Sequence, residues 1–126
     1  MKKLSMGGKF DWYIDTLYKS GVFIRDLSDE DIETNIFEDF IVGVTSYFSK
    51  NNIDGLKENG LIDEAISEQS LFLRKKVLGL DNSELWNIDS VKNNLTWLQV
   101  LELSDSIKEK LHEMWTDEEL EYLKTM

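Results

Sequence analysis

Twenty-five carboxylates and a single histidine are the side chains of this 126-residue chain with the most scope for chemistry. Six of the acids fall within thirteen residues, SDEDIETNIFEDF at 28–40. Acids this dense can hold a divalent cation, trade protons as a pair, or meet a cationic partner. A calcium loop needs D-x-[DN]-x-[DN]-G and a terminal Glu, and the stretch has neither. On a helix, Asp29 neighbours Glu33, and Asp31 neighbours Asn35 and Glu38, a set that grips Mg²⁺ or Ca²⁺ only weakly. The Glu-x-x-His of carboxylate-bridged di-iron helices is missing. No metal site and no cofactor are expected.

Catalytic constellations are equally sparse. His112, in LHEMW, lacks the partner that a zinc-protease HExxH requires. There is no cysteine, so thiolate ligands, disulfides and Cys–His dyads are out. No G-x-S-x-G elbow presents a serine, and neither a P-loop nor G-x-G-x-x-G is present. Paired carboxylates can do acid–base work unaided, so a small carboxylate-using enzyme is one reading. Among so many acids, close pairs also arise without purpose. No catalytic residue is assigned.

Charge is the stronger signal. The formal net charge is −11, which disfavours phosphate backbones and anionic membrane surfaces and favours a cationic partner. It is unevenly spread: net +3 over residues 1–25, −10 over 26–73 and −4 over 74–126. Solubility alone does not require that bias. Arg74-Lys75-Lys76 is too short for a nucleic-acid patch and reads as neutralising acids on its own helix, such as Glu68.

Helices must present these acids. The chain has no proline and 41% apolar residues, enough for one ordinary core. The pattern predicts an all-α or nearly all-α fold, a single compact domain of about five to six helices. Residues 1–8 read as a flexible leader because Gly7-Gly8 disfavours regular structure, and 9–126 as the helical domain. Phe10, Tyr13/Ile14 and Leu17/Tyr18 predict a helix over 9–20, and 22–27 is a connector. Ser28 is an N-cap with Asp31 in a capping-box position, and Asp29, Glu30, Asp31 and Glu33 suit the positive end of a helix dipole. That helix is predicted to run to 49 on Ile32, Ile36, Phe37, Phe40, Ile41, Val44, Tyr47 and Phe48. Gly43, at its edge, allows another helix close.

NNIDG at 51–55 reads as a turn. A third helix is expected over 61–78, with Leu61, Ala65, Ile66, Leu73 and Val77 inward and Gly79 ending it. Asn82 or Ser83 then caps a turn holding Leu85 and Trp86. Asp89 or Ser90 starts a long helical segment to 115. WLQVLEL, 97–103, is apolar on nearly every side, as a central helix or a buried strand. Thr116 with Glu119 opens a last helix at 117–124. Trp12 and Trp115 fit core positions. Trp86 is either a plug at the end of the core or an interface anchor. Lys2 and Lys3 precede no apolar run of signal-peptide length, and no stretch is long enough to span a bilayer. A cytoplasmic location is therefore the expectation.

Small size, acidity, the helical pattern and the lack of an enzyme motif resemble the immunity proteins of bacterial toxin systems. LRKKVLGLDNSELWNIDSVKNNLTWLQVLELSDSIKEKL, residues 73–111, is similar in texture to their helical members. The resemblance implies a non-enzymatic protein that neutralises a cognate, basic toxin by binding it, with no direct nucleic-acid or membrane contact. On that reading the docking residues are Asp31, Asn35, Glu38 and Asp39 on the acidic helix, Asp54, Glu58, Asp63 and Glu64 beyond it, and Trp86. The alternative is a nucleic-acid mimic that blocks a nucleic-acid-binding protein.

Overall fold

Among the described residues there are seven helices, and each starts at a side chain that accepts a bond from a free first-turn amide. The computed structural model describes residues 4–126. Helix α1 is Met6–Tyr18, capped by Ser5. Helix α2 covers 29–47 without a break, as Asp29–Ile32, Glu33–Phe40 and Ile41–Tyr47, and Ser28 caps it. Then come α3, Lys50–Glu58, capped by Ser49, and α4, Glu64–Leu80, capped by Asp63. Asn87 caps α5, Ile88–Asn93, and Asn94 caps α6, Leu95–Met114. Helix α7, Asp117–Leu123, starts in a full capping box of Thr116 and Glu119. A 3₁₀ turn, Val22–Asp26, links α1 to α2. No strand occurs among the described residues, so the fold is all-α and one compact domain.

Several boundaries differ from the sequence expectation, each for a packing reason. Residues 6–8 of the expected leader are helical, while 1–3 lie outside the described residues. Gly7 is there for closeness: its N–H donates to Met126 O at 3.0 Å, and a Cβ would sit 2.5 Å from Met126 backbone atoms. NNIDG is not a turn but part of α3, because Ser49 caps it and Ile53 and Leu56 are buried. The next helix therefore starts at Glu64, and Ala65 faces solvent. Gly79 does not end α4. Burial of Leu80 carries the helix on, and the chain turns at Asn82 with φ 69°, a conformation Asn tolerates.

The expected long helix to 115 breaks at Asn94, which is extended and serves both as the end of α5 and as the cap of α6. Arg25 holds the break. Its Nε donates to Val91 O at 3.0 Å and its Nη2 to Asn94 O at 2.5 Å. Residues 97–103 are helical. Trp97 is fully buried, with its indole N–H on Leu85 O at 2.7 Å.

The core lies between α1, α2, α4 and α6. Two pairs of buried hydroxyls join its helices: Tyr13 and Ser70 meet at 2.6 Å, and Ser104 donates to Ser20 at 3.0 Å. Burial holds the Tyr13 phenol protonated well above its ordinary range.

Helix α2 contains the acidic stretch and is unusual inside. The Ile41 N–H donates to Ile36 O, five residues back, so Glu33–Phe40 is a wide π segment. The fully buried residues of this region are Ile32, Ile36, Phe40, Val44 and Phe48, spaced by four. In a pure α-helix such a repeat drifts by about 40° per step, since 3.6 residues make a turn. The wide turns rotate less per residue and offset the drift, so all five reach one core.

Candidate partner-binding cleft

Helices α1 and α2 come close because position 43 has no side chain. A Cβ there would lie 2.0 Å from Thr16 Oγ1 and 2.6 Å from Thr16 Cγ2. Thr16 is buried in the contact, its hydroxyl donating to Trp12 O at 2.8 Å. Around this crossing the outer stripes of the helices form a cleft of about 240 Å³. From α1 come Trp12, Asp15, Thr16 and Lys19, and from α2 come Glu38, Asp39, Val42, Gly43 and Tyr47.

Trp12 stacks on Tyr47, with ring centroids 5.6 Å apart and planes 7° from parallel. Yet Trp12 is 48% exposed and Val42 61% exposed. An aromatic and an aliphatic side chain thus stand in solvent beside three carboxylates. One local cation, Lys19, reaches Asp39 at 3.6 Å. Asp15 and Glu38 form no ion pair among the described residues.

The expected docking residues do not gather in one place. Glu38 and Asp39 line the cleft. Asp31 is exposed at the start of α2, its amide held by Ser28, and Asn35 is half-buried one turn on. Asp54 pairs with Lys50 at 3.1 Å, and Glu58 is exposed nearby on α3. Asp63 is used as a cap, accepting the Ile66 N–H at 2.9 Å. Glu64 pairs with Lys57, and that bond moves the carboxyl below its usual range and the ammonium above its own. Trp86 is half-buried, edge-on to Phe37 at 4.9 Å and 5.7 Å from Trp97. It packs against the core while keeping part of its surface open.

Trp12, like Ala65, is misplaced by sequence reasoning: it is outside the core, whereas Trp115 is half-buried with its N–H on Leu61 O at 3.0 Å. The signal was present. Phe10, Tyr13, Ile14 and Leu17 define the inner face of α1, and at 100° per residue Trp12 falls opposite it, in line with Asp15 and Lys19.

The lone histidine has company of another kind. His112 Nε2 lies 2.7 Å from the Tyr18 hydroxyl and Nδ1 3.3 Å from Asp117. Partial burial, with Asp117 adding to it, raises the Tyr18 pKa. Nor do Arg74, Lys75 or Lys76 pair with Glu68 among the described residues; Lys76 sits over the Phe72 ring at 5.3 Å. Three acidic or histidine side chains do not converge in metal-binding geometry among the described residues. No described helix is long and apolar enough to cross a membrane.

Compared with protein-family models, curated proteins and solved structures, the chain gives no match.

Proposed function

We propose that this protein acts by binding, as an immunity-type partner that neutralises a basic toxin. The observation that carries the reading is the outward acid of α2. Asp31 and Glu38 are exposed and have no ion pair among the described residues, within a segment of net charge −10. Such a surface speeds encounter with a cationic protein, while buried apolar contacts set the lifetime of the complex. A cytoplasmic site of action fits a protein that protects the cell producing the toxin.

The test is co-expression with any basic protein encoded beside its gene. The pair should co-purify, and the protein should relieve growth arrest caused by that neighbour. Reversing Asp31, Glu38 and Asp39 to Lys should slow association by about 10–100-fold at low salt and flatten its salt dependence. Unchanged association kinetics would remove α2 from the interface. Competition with DNA or RNA for the target would favour the nucleic-acid-mimic reading.

A further inference from the structure

We infer that the α1–α2 cleft is the receptor for one arginine side chain of the cationic partner. This rests on the reading of the protein as a binder of a basic protein, and it names the place and the chemistry of the contact. Three observations meet there. Trp12, stacked on the half-buried Tyr47, is exposed where an amphipathic surface helix would ordinarily be polar, and aromatic faces attract a guanidinium. Asp15, Glu38 and Asp39 bring three negative charges against the one positive charge of Lys19, so the cleft is complementary to a cation. The Lys19–Asp39 contact is long at 3.6 Å and lies at the surface, so an incoming guanidinium can take over Asp39 in a two-pronged pairing.

Size agrees with a single side chain. At about 240 Å³ the cleft is below the roughly 300–1,000 Å³ of pockets that enclose a small molecule. Arginine fits better than lysine because its planar group stacks on a ring and pairs with a carboxylate at once. The π segment adds an independent pointer. Wide turns inside α-helices are frequent at functional sites, and this one carries Glu38 and Asp39.

The probes are hexa-arginine, hexa-lysine and hexa-citrulline peptides, titrated into ¹⁵N-labelled protein at low salt. Hexa-arginine should shift the Trp12 indole N–H and the Val42 and Gly43 amides saturably. It should bind at least 5-fold tighter than hexa-lysine, and hexa-citrulline should leave the cleft unmoved. Trp12→Ala, and separately Glu38→Gln with Asp39→Asn, should each weaken hexa-arginine by at least 5-fold. The shift map of the unaltered protein stands even if a variant folds poorly.

Three results overturn the assignment. One is equal affinity for arginine and lysine peptides. Another is a response to hexa-citrulline as strong as that to hexa-arginine. The third is a shift map centred on Asp54 and Glu58 of α3, which leaves a basic partner in place and moves its site. A protein that answers no cationic peptide anywhere overturns the cleft and the basic-partner reading together.

Discussion

A methyl group at position 43 is the smallest change that tests how α1 meets α2. Alanine favours a helix over glycine by about 1 kcal/mol, so any net loss measures the packing. Overpacking of about 1–3 kcal/mol is typical for such a site, so after the helix gain Gly43→Ala should lose about 0–2 kcal/mol in urea denaturation, toward the upper end for so close an approach. In a Thr16→Ala background the two nearest atoms are gone, and the loss should shrink by about 1 kcal/mol. Additive losses would show that the crossing is not as tight as 2.0 Å implies. Tyr13 offers a pH test. Its folded pKa is raised by burial, so its contribution is whole below the unfolded value of about 10 and is lost as pH rises through the folded one. Tyr13→Phe should cost about 1 kcal/mol at neutral pH, through the bond to Ser70, and should fall less steeply above about pH 10. Parallel curves would exclude Tyr13 as the alkaline trigger. At this scale the glycine was legible as a close approach, but its partner Thr16 was not, because pairing across helices is not written in local spacing.

Elements were legible in kind more than in extent. Ser28 and Thr116 read as caps from the sequence and act as caps in the structure. Ser49 did so too, unnoticed, because NNIDG carries strong turn composition; tertiary burial of Ile53 and Leu56 overrides that preference. The four-residue spacing from Ile32 to Phe48 was also readable, though a wheel drawn at 100° per residue spreads it over a wide face and hides the π segment. Arg25, by contrast, lies in a connector and gives no local hint that it braces the break between α5 and α6, 66 and 69 positions along the chain. Charged hydrogen bonds contribute about 1.5–3 kcal/mol each to net stability, less where solvent can replace them. Arg25→Ala should therefore lose about 2 kcal/mol and speed hydrogen exchange in Ile88–Asn93 above that in α6. Arg25→Lys should recover less than half, since one ammonium does not reproduce the two-nitrogen grip. Full recovery by lysine would reduce Arg25 to a charge near a helix end.

For the whole molecule, the charge bias of 26–73 was plain in the sequence, and it located Glu38 and Asp39 in the region of the cleft. It did not reveal that Asp54 and Glu64 would be matched by Lys50 and Lys57: the first pair needs NNIDG to be helical, which its turn composition hides, and the second depends on which helix ends come together. Those pairs, with Lys92–Asp29 and Lys124–Asp11, are all at the surface, where such contacts contribute little. Against them stands the mutual repulsion of a net charge of −11. Salt screens both, with a Debye length of about 10 Å at 0.1 M that shortens to about 3 Å at 1 M. Repulsion spread over the whole surface acts at longer range than a contact pair, so it should lose more on going from low salt to physiological salt. Between 20 and 150 mM NaCl the unfolding midpoint should rise, by roughly 4 °C if the relief is about 1 kcal/mol. The same addition should slow association with a cationic partner, because the field that destabilises the isolated fold is the one that draws the partner in. A midpoint that falls with salt would mean that the surface pairs outweigh the repulsion. The negative field would then have to be neutralised locally, and the case for a long-range docking charge would go with it.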